Sequence, residues 1–549
     1  MCCVGEGWSR CGKMEASGAP SCELSDKSKR YDRQLRLWGD HGQSSLECGH
    51  VCLINASAAG TETFKSLVLP GVGAITIVDD AKVTPTDVGN NFFVDSESVG
   101  RPRGEVALRL LLELNHEVRG TFVEQPLQEI LDNQPDFFTS FTCVIATCLP
   151  ECTLLMLSKV VWEANVPLVV VRSYGMIGYI RVQMEEHTVV ESHPDNEIPD
   201  LRLDRPFPAL QKYMDSLDLE AMDNKEHSHV PYVVILYKYL QLWNQQHGAP
   251  PKNYKERKAF IELCKTGMRE RENNEPEENF EEAIKAVNTS LLPTSIPAGV
   301  QSILNEAASI TPSPTTKPFW IMARALHEFV TSEGRGALPV RGTIPDMTAD
   351  SEKYIKIQNL YREQAAQDAD WVLRRVQELS QQLGPRKIMA SIDSDVKTFC
   401  KNSHALRVVK GKSIAEEYKG SINLGEIGAH LENPESELVW YVMLRAVDQF
   451  HSEFRAYPGF FQDQVETDIV RLKVCVNRLL ADWGCGPIIK DDFIHEMCRY
   501  GAAEVHSIAA YIGGCAAQEV IKIITGQYVP ISNTHIYNAI TATSETFML

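Results

Sequence analysis

Few residues in this chain have types and spacing that could do chemistry, and the first group is a turn. VCLI (51–54) is a short apolar run followed by Asn55-Ala56-Ser57-Ala58-Ala59-Gly60 and the amphipathic stretch Thr61–Leu69. A strand-to-helix turn of this kind holds phosphates when glycines let backbone N–H groups approach the anion at the helix N-terminus. Only Gly60 remains of such a fingerprint, and each added Cβ obstructs that approach. Asp79 and Asp80 close the next apolar run, ITIVDD (75–80), where an acidic residue would hold a ribose hydroxyl. Acidic residues are common at strand ends, so the pair alone weighs little. The turn therefore predicts a Rossmann-like scaffold whose own nucleotide site has decayed, which also argues against a nicotinamide-dependent dehydrogenase.

Other reactive types carry less. Cys152 in Pro150-Glu151-Cys152-Thr153-Leu154 opens a helical stretch (153–164), where a thiolate would be favoured. It directly follows the apolar run CVIAT (143–147). His227 and His229 form an HxH pair, but no third ligand cluster accompanies them, so a loop or interface role is expected rather than a metal. Glu504 and His506, with Gln518 and Glu519, are expected to make structural polar contacts under a sheet.

These residues must be positioned by alternating elements. Apolar runs at 51–54, 75–80, 143–147 and 167–180 are separated by helical stretches, the pattern of a parallel sheet with crossover helices. From about residue 186 the texture becomes helical: 233–243, 319–330, 352–379 and 436–450 carry apolar residues at helical spacing. The charged run 269–285 reads as linker or helix surface. AAYIGGCAAQEVIKIIT (509–525) is one more apolar helix, and HIYN (535–538) a closing strand. The expected organisation is a disordered tail (1–29), a first α/β part (30–185), a mainly helical insertion (186–490) and a last α/β part (491–549).

The chain has 549 residues, too many for one core, and a net charge of −19 that would be repelled by a phosphate backbone, so nucleic acid is disfavoured. No unbroken apolar run reaches the roughly 18 residues of a membrane span. The fifteen cysteines are scattered with no CxxC pair, as in a reducing compartment such as cytoplasm or nucleus.

YDRQLRLWG (31–39) and GAAEVHSIAAYIGGCAAQEVIKIITGQYVPI (501–531) resemble the ubiquitin-activating-enzyme family, whose adenylation fold is shared with the bacterial ThiF and MoeB proteins. CLINASAAGTE (52–62), GNNFF (89–93), HSHVPY (227–232) and LPVRGTIPDMTADSEKYIKIQNLYRE (338–363) extend the resemblance, in order, over most of 31–549. It is thin at 245–315 and 380–435. Eukaryotic members pair an active with an inactive adenylation domain. Active copies carry a full glycine loop, an Asn-x-Asn-Arg-Gln segment, a lysine in the next helix and a magnesium-binding aspartate. Here Asn90 stands at the arginine's place, Arg103 at the lysine's and Cys148 at the aspartate's. Adenylation needs cationic groups and Mg²⁺ on the transferring phosphoryl oxygens.

The resemblance therefore implies an inactive adenylation domain interrupted by an insertion that is related to a catalytic-cysteine domain but lacks its nucleophile. It implies a regulatory, non-catalytic half of a heterodimer that activates a ubiquitin-like modifier, in neddylation rather than the SUMO pathway, whose counterpart is shorter. Mg-ATP and the thioester cysteine would belong to the catalytic partner subunit, and a conjugating enzyme would be met indirectly. Arg33, in the Tyr-Asp-Arg-Gln motif, would reach the partner's ATP as an arginine finger in trans; the competing reading pairs it with Asp32. The degenerate loop (Asn55, Ser57, Ala58, Gly60) would bind no cofactor. The expected partner surface is His229, Asp346, Met347, Asp350, Tyr354, Ile355, Gln358 and Asn359, on a loop before a helix that Ser351 caps, flanked by Tyr354 and Tyr361. The competing reading packs this loop internally. A standalone activating enzyme and a pure scaffold are the remaining alternatives.

Overall fold

The computed structural model describes residues 26–192, 198–269, 276–382, 392–419, 424–486 and 488–549. The tail expected at 1–29 lies outside these residues up to 25, and its last residues already belong to helix α1 (Asp26–Cys48), which kinks at Gly39. The sheet then builds as expected: β1 (His50–Ile54), α2 (Ala58–Val68), β2 (Ala74–Val78), α3 (Pro85–Asn90), α4 (Arg103–Leu112), β3 (Arg119–Val123), α5 (Leu127–Asn133), β4 (Cys143–Thr147), α6 (Glu151–Glu163) and β5 (Leu168–Tyr174).

The strands β3, β2, β1, β4 and β5 lie side by side and parallel. Their residues alternate between two covered faces. Cys52, Ile54, Val144, Ala146 and Val170 enter one core, while Val51, Leu53, Ile145, Val169 and Val171 enter the other. Both faces being buried is why these strands read as unbroken apolar runs. The expectation of a parallel sheet needs one correction. PLVVVRSYGMIGYI folds back at Gly175 (φ 57°) into β5 and β6 (Ile177–Gln183), which are antiparallel. Two further antiparallel strands, β9 (Thr534–Asn538) and β10 (Thr543–Phe547), extend that edge.

Between β6 and β9 the chain leaves the sheet. The ladder of β7 (Glu186–Val189) with β8 (Arg407–Lys410) closes the stem of the excursion. Inside it lie two helical lobes with separate cores. One is centred on the helices Tyr232–His247 and Glu278–Ser290. The other is centred on the helices Ala298–Ser309 and Pro318–Thr331. The helix Ser351–Gln382 runs along both, with Tyr361 in the first core and Val372 in the second. The helices Leu438–Phe454 and Val465–Asp482, although preceding residue 491, bury their apolar faces in the core that covers the sheet. The buried ion pair Arg181–Glu417 (2.7 Å) and the pair Arg172–Asp448 (2.6 Å) tie this returning segment to β6 and β5.

The charged run 269–285, expected at the surface, contains Glu277 and Phe280, both buried; residues 270–275 lie outside the described residues. Tyr361 is likewise no surface aromatic: it is fully buried and its hydroxyl donates to the Leu201 carbonyl (2.5 Å). Ser351 is the first residue of its helix, not the cap. Asp350 fills that position, its Oδ1 accepting from Glu352 N–H (3.3 Å).

The C-terminal helix (His506–Thr525) is long and apolar enough to cross a membrane, yet half of it is buried inside the fold. Its Ile512, Ala516 and Val520 share a core with Phe64 and Leu67 of α2. Gly513 permits the closest approach: a Cβ there would stand 2.9 Å from Thr63 N and 3.0 Å from the Ala59 carbonyl. Gly513→Val should therefore part the two helices. The expected cost is about 1–3 kcal/mol, the usual penalty of overpacking, read as a lowered thermal midpoint with the far-ultraviolet spectrum retained.

Candidate functional site

Strand order reverses between β1 and β4, and ligands of doubly wound sheets bind in the crevice beyond the carboxyl ends of the strands at such a point. Here that crevice is framed by Asn55 after β1, Cys148 after β4, and the N-terminus of α2. The positions 55, 57 and 60 match the three glycines of the phosphate-binding fingerprint, and each has a separate physical fate. Asn55 adopts the left-handed conformation (φ 65°) that the first glycine normally supplies, and its Nδ2 donates to the Thr147 carbonyl (2.9 Å). Ser57 stands where backbone should meet pyrophosphate; its Oγ instead caps α2 by accepting from Gly60 N–H (3.3 Å). Gly60 survives because a Cβ would lie 2.9 Å from Leu53 Cδ1. The retained glycine is the one that helix–strand packing requires, not one that phosphate requires.

The free N–H groups of α2 still need an acceptor, and the chain supplies it from its far end. Glu504 receives Ala58 N–H on Oε2 (3.0 Å) and Ala59 N–H on Oε1 (3.3 Å). A carboxylate thus occupies the seat of an anion at a helix N-terminus. Burial raises the Glu504 carboxyl above the ordinary glutamate range, against the opposing pull of the Ala58 and Ala59 amides. Glu504 was expected to be structural. Its place over the turn is the feature that sequence alone could not show, since the two segments stand 446 residues apart.

The ribose position is closed in the same way. Asp79 is fully buried. Its Oδ2 accepts from Ala56 N–H (2.9 Å) and Arg103 Nε (2.8 Å), and its Oδ1 from Ala81 N–H (2.9 Å) and Arg103 Nη2 (3.2 Å). Arg103 also reaches Asp87 (3.2 Å), so its charge is neutralised internally. Asp80 is exposed. Asn91 is a structural neighbour: its Nδ2 donates to the Ala56 carbonyl (3.0 Å) and its Oδ1 accepts from Thr61 (2.9 Å). A cavity of about 980 Å³ remains beside the turn, lined by Asn90, Cys148, Glu466, Glu496 and Glu504 among others. Its cationic Arg499 is paired with Glu496. Such an acidic lining opposes a triphosphate.

Among the other expected residues, Arg33 stands outside this crevice. Tyr31 anchors α1 by donating to Glu117 Oε2 (3.1 Å), and Gln34 donates to the Pro70 carbonyl (2.8 Å). These two fix one side of the helix and leave Arg33 on the other, with 92% of its side chain exposed and only a 3.9 Å contact to Asp32. Asp32 is held more closely by Arg36 (3.2 Å). Cys152 lies at the start of α6, exposed, with Thr153 Oγ1 at 3.8 Å. His227 is buried with Nδ1 2.8 Å from Glu277 Oε1. No group of three or more His, Cys, Asp or Glu residues able to hold a metal occurs among the described residues. His506 contacts Glu62 (3.3 Å), Glu519 accepts from Ile531 N–H (2.8 Å), and Gln518 is exposed rather than under the sheet.

The expected partner residues do come together. Asp350 N–H donates to the His229 carbonyl (2.9 Å), and Tyr354 donates to Asp346 (3.3 Å). Ile355 is 52% exposed, Asn359 is exposed and Gln358 half-buried on the same helix. Met347 instead packs against the lobe core. The loop is pinned from beneath by Thr348 on Glu282 and by Val340 N–H on Asp368 (2.9 Å). Its inner side is packed against the lobe and its outer side is open.

The ThiF family matches residues 31–549, which include the turn, the sheet and the C-terminal helix just described. The chain belongs to the ThiF family. Its fold is accordingly an adenylation-type α/β core carrying a large helical insertion. It is similar to the protein named NEDD8-activating enzyme E1 regulatory subunit from Danio rerio, 52% identical over 95% of this chain and 99% of that one. The protein of that name from Drosophila melanogaster is 46% identical over 98% and 100%. The one from Caenorhabditis elegans is 37% identical over 95% and 99%.

Two outcomes test the closure of the phosphate and ribose positions. Arg103→Met leaves the Asp79 carboxylate buried and unpaired, and should destabilise the chain by about 3–5 kcal/mol. Asp79→Asn added to it should restore much of the loss in chemical denaturation. Glu504 acts in a pH-dependent way. Because its carboxyl is raised in the folded chain, the native state holds more protons than the unfolded one above the ordinary glutamate pKa, and stability falls as pH rises through that window. Glu504→Gln should therefore gain stability relative to the parent as pH rises above the ordinary glutamate range, measured as urea midpoints.

Proposed function

We propose that this chain is the regulatory subunit of a heterodimeric NEDD8-activating enzyme, supporting ATP-dependent adenylation and thioester capture of the modifier by a catalytic partner. The observation that carries this reading is identity running through nearly the whole of both chains with proteins bearing that name. The closed seats at Glu504 and Asp79 give it a physical reason: this half holds no Mg-ATP of its own, and nucleotide, magnesium and the nucleophilic cysteine are the partner's. A subunit serving SUMO is disfavoured by the names of the relatives.

Arg33 is proposed to contribute across the interface. An exposed guanidinium on a helix anchored at Tyr31 and Gln34 is held at a fixed place yet free to meet an anion. Its permanent charge and planar fork suit phosphate oxygens. The surface of His229, Asp346, Asp350, Tyr354, Ile355, Gln358 and Asn359 is proposed as a second contact with the assembled enzyme or its modifier. Action in the cytoplasm, and in the nucleus, belongs to the same reading.

The test is reconstitution. The candidate catalytic subunit should co-purify with this chain and charge the modifier as a thioester only in its presence; equal charging by the partner alone would sink the proposal. Arg33→Ala should leave the heterodimer intact while slowing adenylation about 10²-fold or more, the effect of removing one charge-stabilising donor. An unchanged rate would leave a pure scaffold.

A further inference from the structure

Helix α1 is broken at Gly39 (φ 63°), and the limb before that break carries Arg33. A short helical limb keeps its place either by burying an apolar face or through directed polar contacts. Of residues 29–41, Tyr31 alone is buried, so apolar burial does little to fix where this limb lies. Hydrogen bonds set the position of Arg33 instead.

These bonds form two clasps. In the first, Gln43, only 2% exposed, spans the break: its Oε1 accepts from Gln34 Nε2 (2.7 Å) and from Trp38 Nε1 (3.1 Å). The second arrives from a turn 84 residues away, between α4 and β3. There the fully buried Asn115 donates Nδ2 to Tyr31 Oη (3.1 Å) and to the Val68 carbonyl (2.9 Å). Its Oδ1 accepts from Glu117 N–H (3.3 Å). Tyr31 Oη passes the chain on by donating to Glu117 Oε2 (3.1 Å). Arg30 donates Nη2 to the Leu114 carbonyl of the same turn (3.1 Å). The tip of the phenol also abuts the turn after α2, where a Cβ on Gly71 (φ 88°) would stand 2.6 Å from Oη.

The second clasp has a fixed direction. An amide nitrogen only donates, a carboxylate only accepts, and the phenol between them does one of each. Burial raises the Tyr31 phenol above its ordinary range, opposed by Asn115 and helped by Glu117, so it remains a donor. Glu117 is itself exposed. Its carboxylate orients a hydroxyl and fills no core. Arg33 lies between Tyr31 and Gln34 in sequence, one residue from the second and two from the first. A group that acts across an interface must arrive in register, since a misplacement of about 1 Å can cost on the order of a hundredfold in rate.

We propose that Asn115 and Glu117 are positioning residues for the adenylation reaction in the partner's site, and that they set Arg33 through the Tyr31 hydroxyl. Their role rests on that of Arg33 as proposed above.

The experiment is ATP–pyrophosphate exchange by the full-length heterodimer with its candidate catalytic subunit, run over a range of ATP concentrations. Tyr31→Phe, which removes one hydroxyl, and Glu117→Ala, at an exposed position, should each lower kcat about three- to tenfold, the worth of one hydrogen bond. Glu117→Gln keeps an acceptor oxygen and should restore most of the rate. Both changes are repeated beside Arg33→Ala, where the clasp has no arginine left to place and neither should slow exchange further. The thermal midpoint of the free chain and the yield of heterodimer should stay in place for Glu117→Ala. Slowing of the same size with and without Arg33 would overturn the proposal, because the clasp would then only hold the fold. So would unchanged rates for Tyr31→Phe and Glu117→Ala while Arg33→Ala slows the reaction. A rate that Arg33→Ala leaves unchanged would remove the arginine's role and this one with it.

Discussion

The contact between the Glu504 carboxylate and the first amides of α2 joins the chemistry of this protein to its architecture. A helix of this kind ends in N–H groups that demand an acceptor, and its dipole favours a negative one. In a nucleotide-binding sheet the acceptor is phosphate. Here it is a side chain delivered by the segment that leads into the C-terminal helix. That helix is seated against α2 through Gly513. The bond therefore closes the sheet around an excursion of more than two hundred residues. The α/β core needs both of its separated parts, and the carboxylate is one of the places where they meet.

Asp79 completes the pattern. Its oxygens are saturated by two backbone amides and by Arg103. Buried polar groups must be satisfied whether or not a ligand is present. The charges beyond the strand ends are answered from within, Glu504 by the first amides of α2 and Asp79 by Arg103 and two backbone amides. Opening such a site by one substitution leaves an unpaired buried group, so its closure is reinforced by stability itself.

Much of this fold was legible because it rests on local pattern. Strands buried on both faces announce themselves as apolar runs, and β1, β2, β4 and β5 were readable for that reason. The edge strand β3, RGTFV, is partly exposed along its length and carries no such run. The hairpin between β5 and β6 was concealed within one continuous apolar stretch, whose turn is marked only by Gly175. The helices of the insertion were visible from their spacing, but which core each helix joins was not. Periodicity says that Leu438–Phe454 has an apolar face and not that the face meets the sheet. At the site, the missing glycines were plain, while Glu504 and the buried Glu277 were beyond reach. Their importance comes from partners distant in sequence, and a charged run such as 269–285 looks solvated until its neighbour His227 is known.

The glycine that remains helps to separate two explanations of the turn. If the loop had drifted without constraint, Gly60 would be as replaceable as its two companions. Its Cβ position is filled by Leu53, so packing alone is enough to retain it. Asn55 keeps the left-handed turn that the strand-to-helix reversal needs, and Ser57 caps the helix it no longer offers to a ligand. Each of the three positions thus has a role in the fold itself. At the surface, Arg33 stands almost fully exposed on the same helix that Tyr31 fastens to the sheet.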